Sequence, residues 1–466
     1  PPSAEEKEID MEVNRSAETR RSSHSFTQRQ HSRASPRCEW RGSMPPAIST
    51  RATSAAEPVV ERVLEQYLKP GVTNLAPGQS HWSPPPHAVP PVADVRAASR
   101  YGACHGDAAL LVALREKLER ENRIPMADRG LMVTCGANQA FAHAMLALCD
   151  AGDEVVLFAP YYFSHLVALQ MFGLRPRILP CEAASGVPSL GALRGALDDA
   201  GGRVRAVVLV SPGNPSGTIV PEALGRAVLR ECAARGVWLV TDEAYEHFTF
   251  GGDADGGAIP HASLAAPPTT PAGNADVDAS ERECVVSLFT FSKSYGMAGW
   301  RVGYLVYPRR LDGALLKVQD TLLTHAPLYC QRLALAALRD LGTPWVRAQV
   351  ASLAPAREAL WRAVAPLFEL RRAAAGGAPT PDKAPQSLGA FYFFVPVPES
   401  VPEEEALRLL AEEYRLLLLP GSAFGAAGFL RLSYGALAAT EVEPVAARLA
   451  EAAARLIAEH SKTTLS

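Results

Sequence analysis

The amino-acid sequence predicts an α/β protein, with a large domain built on a mostly parallel sheet flanked by helices and a smaller α+β domain behind it. From about residue 101, short β-branched apolar runs alternate with amphipathic stretches, as in doubly wound parallel sheets. Beyond residue 354, a helical stretch, a Gly/Pro/Ala linker, short strands and a final helix indicate a second unit. The predicted strands of the large sheet are 131–134, 154–158, 206–210, 237–241, 285–289 and 302–306.

The chain divides into four predicted segments. Residues 1–54 are rich in Arg and Ser and poor in apolar residues, so we expect a disordered or targeting segment; a gene-model extension upstream of Met44 is the alternative. Residues 55–95 are expected to pack with the small domain, 96–345 to form the large domain and 346–466 the small one. Residues 251–281 are rich in Gly, Ala, Pro and Asp, which predicts a surface loop.

Composition narrows the classes of function. The net charge of −3 gives no support for a nucleic-acid partner, and no apolar run approaches the ~18 residues of a membrane span. The eight cysteines form no C-x-x-C pair and the histidines no ligand pair at helical spacing, so we expect a reduced compartment and no metal. The cytoplasm fits, as does a plastid or mitochondrion if the first segment is a transit peptide.

One stretch, residues 287–304, carries the strongest motif. It places Lys293 between an apolar run and a glycine-bearing turn, and Arg301 follows eight positions later. A lysine amine is nucleophilic only when neutral, and burial near other cations lowers its pKa. The planar fork of an arginine suits a phosphate dianion. The alternative is a lysine and an arginine at the end of an ordinary core strand.

Polar motifs follow other predicted strands, at the sheet edge where ligands bind in such folds. A glycine turn opens a helix at residues 136–138, where free N–H groups suit a phosphate. A carboxylate, Asp242, ends the strand 237–241, and Asn214 lies in an Asn-Pro-x-Gly run. Each motif also has a plainer interpretation. Residues 136–138 could form an ordinary βα turn and Asn214 an Asn-Pro turn, Tyr162 could be a core or surface tyrosine, and Arg431 could be a surface arginine.

The S-K-x-x-x-x-x-G-x-R-x-G run at Lys293, the N-P-x-G at Asn214 and the D-E-x-Y at Asp242 resemble the class I/II aminotransferases, enzymes of fold type I that depend on pyridoxal 5′-phosphate (PLP). The resemblance covers about residues 57–456. It implies that Lys293 binds PLP as a Schiff base and shuttles the proton. It also implies an amino acid and a 2-oxo acid as substrates of a ping-pong cycle.

The resemblance implies a role for each candidate residue. The residues expected at the phosphate are Gly136, Ala137, Asn138, Thr290, Arg301 and, from a neighbouring subunit of a homodimer, Tyr101. Those expected at the ring are Tyr162 stacking on it, Asp242 at the pyridine nitrogen, and Asn214 and Tyr245 at the phenolic oxygen. Arg431, together with Asn214, is expected to bind the substrate carboxylate.

The segments 149–163 and 288–297 look most like plant aromatic/methionine aminotransferases, which favours an aromatic amino acid or methionine. Three alternatives stay open: an aspartate-type aminotransferase, a lyase resembling 1-aminocyclopropane-1-carboxylate synthase, and a non-catalytic transaminase-like binding protein. The turn 299–303 looks more like transaminases than like that synthase, and the presence of both Lys293 and Asp242 argues against a non-catalytic domain.

Overall fold

The computed structural model describes residues 48–88, 95–182, 185–199, 201–251, 261–269, 279–375 and 389–465. In chain order its strands are β1 (Thr73–Asn74), β2 (Arg129–Thr134), β3 (Glu154–Ala159), β4 (Arg175–Pro180), β5 (Val204–Val210), β6 (Trp238–Asp242), β7 (Val285–Thr290), β8 (Gly303–Pro308), β9 (Tyr392–Pro396), β10 (Leu416–Leu417), β11 (Leu419–Pro420) and β12 (Phe429–Ser433). The longer helices are Val59–Tyr67, Ala108–Arg120, Ala137–Leu148, Phe163–Phe172, Leu190–Asp199, Glu222–Ala234, Asp312–Leu322, Leu328–Asp340, Gly342–Ala351, Ala354–Ala374, Glu403–Glu412 and Val442–Leu465; the short ones are Thr50–Ser54, Val95–Ala98 and Phe291–Ser294.

A seven-stranded sheet with the order β2-β8-β7-β6-β5-β3-β4 forms the centre of the fold. Each of the six strands predicted for this sheet overlaps an observed strand. β8 runs in the direction opposite to the other six strands, which all share one direction. The predicted α/β class and mostly parallel sheet are therefore confirmed. The sequence missed β4. That strand contains Pro176 and Pro180 and buries little of its surface, which an edge position tolerates.

Apolar cores lie on both faces of this sheet. In β3, Val155 and Leu157 point to one core, whereas Val156 and Phe158 point to the other. The strands are therefore continuous apolar runs, because neither face meets water. The polar residues that follow them gather at the carboxyl edge, where the sheet ends.

A smaller three-stranded antiparallel sheet, β11-β12-β9, follows in the C-terminal region. The helices Ala354–Ala374 and Val442–Leu465 pack on each other, and the first of them also contacts β9. Near the start of the described chain, β1 pairs with β10 in parallel, which ties residues 73–74 to this region. The predicted domain boundaries themselves stay predictions.

Several expectations from the sequence need correction. Residues 50–54, assigned to the disordered or targeting segment, form a short helix. The surface-loop prediction is wrong for residues 263–266, whose side chains are buried. The carbonyls of Ser263 and Leu264 accept hydrogen bonds from Arg226. Residues 252–260 and 270–278, most of the linker and residues 1–47 lie outside the described part. No helix in the described ranges is long and apolar enough to cross a membrane.

Candidate active site

A cavity of about 250 Å³ opens at the carboxyl ends of β5, β6 and β7. Ten of the twelve residues singled out in the sequence line it: Ala137, Asn138, Tyr162, Asn214, Asp242, Tyr245, Thr290, Lys293, Arg301 and Arg431. Gly136 lies directly beside it, in contact with Arg301. Tyr101 does not line it: the side chain is 88% exposed, and its ring meets that of His325 edge-on at 6.0 Å.

Lys293 lies in the short helix Phe291–Ser294 that follows β7. Its Nζ donates a hydrogen bond to the carbonyl oxygen of Gly78. Burial, together with the nearby cations Arg431 and Arg301, lowers the pKa of Lys293 to about 8, against the opposing charge of Asp242. A lysine with such a pKa carries a substantial neutral fraction near pH 7, which a nucleophile or a proton acceptor requires.

One end of the cavity is built to receive an anion. The helix Ala137–Leu148 begins at Gly136, whose φ is 79° and which provides no side-chain cap, so the first N–H groups stay open. A Cβ at Gly136 would overlap the guanidinium of Arg301, which is why a glycine is needed there. Arg301 donates from Nη2 to the carbonyl of Cys135 at 3.2 Å. The hydroxyls of Thr290 and Ser292, 2.9 Å apart, complete this end.

Asp242 ends β6 as a buried carboxylate. Its Oδ1 accepts a hydrogen bond from the backbone N–H of Ala244 at 3.1 Å, and its Oδ2 lies 3.2 Å from Nε2 of His165. His165 is buried as well and stacks on Phe141, with ring centroids 4.1 Å apart. Reading the sequence missed His165. Its one signal is a position one helical turn after Tyr162, whose ring meets it edge-on at 5.2 Å.

Arg431 enters the cavity from β12 and is only 2% exposed. Its Nη1 donates to Oδ1 of Asn214 at 2.8 Å and its Nη2 to the carbonyl of Ala76 at 2.5 Å. The guanidinium also lies over the rings of Tyr392 and Phe424, at 4.5 and 5.1 Å. Both hydrogen-bond acceptors are neutral and Nε has no partner within the described chain. The site therefore holds a buried cation suited to a carboxylate.

Two buried tyrosines close the cavity between the sheets. The hydroxyl of Tyr245 hydrogen-bonds that of Tyr392, and both rings line the cavity. Burial raises the pKa of Tyr392 to about 12, and it raises the pKa of Tyr245 well above its ordinary value, so both phenols stay protonated. Tyr392 was not singled out in the sequence, because the aromatic run 391–394 reads as an ordinary core strand.

Residues 70–449 match the family model described as aminotransferase class I and II. The chain belongs to this family. It is an aminotransferase, its cofactor is pyridoxal 5′-phosphate, and its substrates are an amino acid and a 2-oxo acid. The resemblance that the motifs around Lys293, Asn214 and Asp242 carried is thereby confirmed.

Known relatives agree with this placement. The aminotransferase is 35% identical over 413 residues to an aromatic aminotransferase of Arabidopsis thaliana, which covers 86% of this chain and 95% of that protein. It is 29% identical over 343 residues to an aspartate/prephenate aminotransferase of Thermus thermophilus, covering 72% of this chain and 79% of that one.

Solved structures show the same fold. An aspartate aminotransferase from Thermus thermophilus with maleate superposes with a TM-score of 0.73 at 25% identity, covering 88% of this chain and 100% of that chain. An aromatic aminotransferase from Pyrococcus horikoshii gives a TM-score of 0.70 at 25% identity, over 85% and 99% of the two chains. These relatives include enzymes named for aromatic and for acidic substrates, so the family alone leaves the substrate class open.

Proposed function

We propose that this aminotransferase transfers the amino group of an aromatic amino acid or methionine to a 2-oxo acid in the cavity around Lys293. The observation that carries the proposal is an apolar wall: Val60, Pro77 and Phe163 line the cavity together with Arg431. An acidic substrate needs a second cation for its side-chain carboxylate, whereas an apolar side chain gains by leaving water against such a wall. The resemblance to an aromatic aminotransferase of Arabidopsis thaliana supports the same substrate class.

Val60 belongs to the Arg431 end of the cavity. Its helix, Val59–Tyr67, packs against β11, and Leu419 of β11 is the cross-strand partner of Arg431. Phe163 lies at this end too, because its ring contacts that of Phe424 at 5.4 Å, and Phe424 lies against Arg431. The other two cations that line the cavity have different proposed roles. Lys293, which follows β7, is the cofactor lysine, and Arg301 lies at the anion end.

The cavity fits pyridoxal phosphate, with an anion site, a buried carboxylate and a lysine amine around one space. In our proposal the N–H groups of residues 136–138, with Thr290 and Arg301, would hold the phosphate, and Asp242 would accept a hydrogen bond from the protonated pyridine nitrogen. Tyr162 would cover the ring, and Asn214 and Tyr245 would donate hydrogen bonds to its phenolic oxygen. The bound cofactor withdraws electrons from the substrate Cα and so acidifies its C–H bond.

Lys293 is the proposed proton carrier. With a pKa near 8, its amine accepts a proton from the substrate Cα and returns it without a large energetic cost in either direction. Arg431 orients the substrate by its carboxylate, which fixes which Cα bond faces the amine. His165 keeps the Asp242 carboxylate in place, and the surrounding aromatic rings exclude water from this part of the site.

We also propose a homodimer in which Tyr101 serves the cavity of the other subunit. Support comes from its 88% exposed side chain and from exposed apolar residues in the nearby loop and helix ends, namely Leu322, Leu323 and Tyr329. Sedimentation equilibrium tests the assembly. A strictly monomeric, fully active enzyme would rule out both the dimer and the role of Tyr101.

The substrate class is tested with the purified holoenzyme and single amino acids, first without any oxo acid. Phenylalanine, tyrosine, tryptophan or methionine is expected to yield about one equivalent of its 2-oxo acid per site, and full turnover with ping-pong kinetics once an acceptor is added. Brisk turnover of aspartate with none of these four would contradict the proposed class. Release of a cleavage product from S-adenosylmethionine, without any oxo acid, would favour the lyase.

A further inference from the structure

Residues 75–82, which we name the strap, connect the two ends of the active site. On the lysine side, the hydroxyl of Ser80 donates to the backbone carbonyl of Lys293 at 2.7 Å. The indole N–H of Trp82 donates to the carbonyl of Ser294 at 3.1 Å, and the carbonyl of Gly78 accepts from Nζ of Lys293. Two residues of the strap therefore hold the backbone of the turn that carries the lysine, and a third contacts the lysine amine.

The same segment is fastened to the strand that carries Arg431. The carbonyl of Ala76 accepts from Nη2 of Arg431 at 2.5 Å, and the carbonyl of Leu75 accepts from the N–H of Ser433 at 3.0 Å. Further along, the N–H of His81 donates to the carbonyl of Gly435 at 2.7 Å. Lys293 and Arg431 are 138 residues apart in sequence; one follows a strand of the seven-stranded sheet, and the other lies in the three-stranded sheet. The eight-residue strap contacts both of them.

A carboxylate that binds Arg431 competes with the Ala76 carbonyl for the Nη2 donor. A charged acceptor forms the stronger hydrogen bond, so binding weakens the fastening of the strap at this end. We propose that the strap transmits the occupation of Arg431 to Lys293, with Ser80 as the positioning residue that passes it to the lysine turn. The inference rests on the proposed role of Arg431 as the carboxylate site.

Ser80 is the residue to substitute, because its hydrogen bond to the lysine turn is made by its side chain. Its half-buried hydroxyl is bonded to the backbone of Lys293, and thus fixes the direction in which that side chain leaves the turn. The links made by Gly78 and Ala76 use backbone carbonyls, which no substitution removes. Ser83, three residues on and exposed, provides a matched control.

The first test uses the holoenzyme. Ser80→Ala is expected to lower kcat about five- to tenfold, the loss of one hydrogen bond, with KM for phenylalanine nearly unchanged. Ser80→Thr restores the hydroxyl and most of kcat, and Ser83→Ala behaves as the wild type. A rise in KM alone, or a loss of kcat that Ser80→Thr does not repair, would overturn the role of Ser80.

The second test does not use turnover. Hydrogen exchange of residues 288–297 is followed in the holoenzyme, with and without saturating 3-phenylpropionate, and with succinate as a second carboxylate. Binding of either acid is expected to change exchange in this segment severalfold in the wild type and in Ser83→Ala, but not in Ser80→Ala. Equal changes in all three proteins, or none in the wild type, would refute the strap. If succinate changes the hydrogen exchange of this segment and 3-phenylpropionate does not, the role of the strap is supported and the proposed apolar substrate class is contradicted.

Discussion

Replacement of Val60 by arginine tests the substrate pocket most directly. Val60 is half-buried in the first turn of the helix Val59–Tyr67 and lines the cavity at the Arg431 end. An arginine there supplies the second cation that the apolar wall lacks. We therefore expect Val60→Arg to move the preference of the enzyme from phenylalanine towards aspartate.

The size of the shift follows from the contact that the substitution creates. A hydrogen bond between charged groups contributes about 1.5–3 kcal/mol, which corresponds to roughly 10- to 150-fold in kcat/KM for aspartate. Phenylalanine loses apolar contact at the same wall, worth about 0.8 kcal/mol for each methylene-sized group that is no longer covered. The ratio of kcat/KM for aspartate to that for phenylalanine should rise at least about tenfold.

The assay is initial-rate kinetics with both amino acids at fixed acceptor. The control is Gln66→Arg, which adds the same charge at an exposed position of the same helix. A cation in the first turn opposes the helix dipole and costs about 0.3–1 kcal/mol, so the Tm of both variants is measured alongside. An unchanged ratio in Val60→Arg, or an equal change in Gln66→Arg, would refute the placement of Val60 beside the substrate side chain.

Three further predictions concern the lysine, the buried carboxylate and a remote ion pair. The pKa of Lys293 lies near 8 and not at its ordinary 10.5. The rate at which PLP recombines with the apoprotein should therefore rise up to about pH 8 and then level off. A rate that continues to rise up to pH 10 would contradict this pKa. His165→Leu removes the partner of Oδ2 of Asp242, so the Kd for PLP in equilibrium dialysis should increase about tenfold or more, and an unchanged Kd would exclude a role for the pair. Lys117→Met removes the cation that lies 2.6 Å from the buried carboxylate of Glu246, so the free energy of unfolding in urea should fall by about 3–5 kcal/mol. The double variant with Glu246→Leu should recover part of this loss. A loss below about 1 kcal/mol would contradict the burial of the charge.

Six of the seven strands of the large sheet, and the polar residues that follow them, could be predicted from the sequence. An apolar run of five or six residues fixes where a buried strand ends, and Asp242 and Lys293 follow directly after such runs. A glycine with a positive φ before a helix, as at Gly136, is also a local signal. Signals of this kind need only a few neighbouring residues, and these predictions agree with the structure.

Other features depend on residues that meet only when the chain is packed. The edge strand β4 lacks the apolar pattern because one side of it has no neighbour, and residues 263–266 are buried only because Arg226 and its helix lie above them. His165 and Tyr392 acquire their place in the site through partners 77 and 147 residues away in the chain. No local pattern encodes such distances.

The sequence by itself determined that this chain is an aminotransferase, because the lysine, the carboxylate and the arginines each stand in a short motif that can be recognised along the chain. The tertiary structure alone decided how these groups are joined. Gly78 and Lys293 are separated by 215 residues, yet their contact and that of Ala76 with Arg431 link the lysine to the arginine proposed as the carboxylate site. These contacts form only when the strap, the large sheet and the small sheet are packed together, and that packing depends on the whole folded chain.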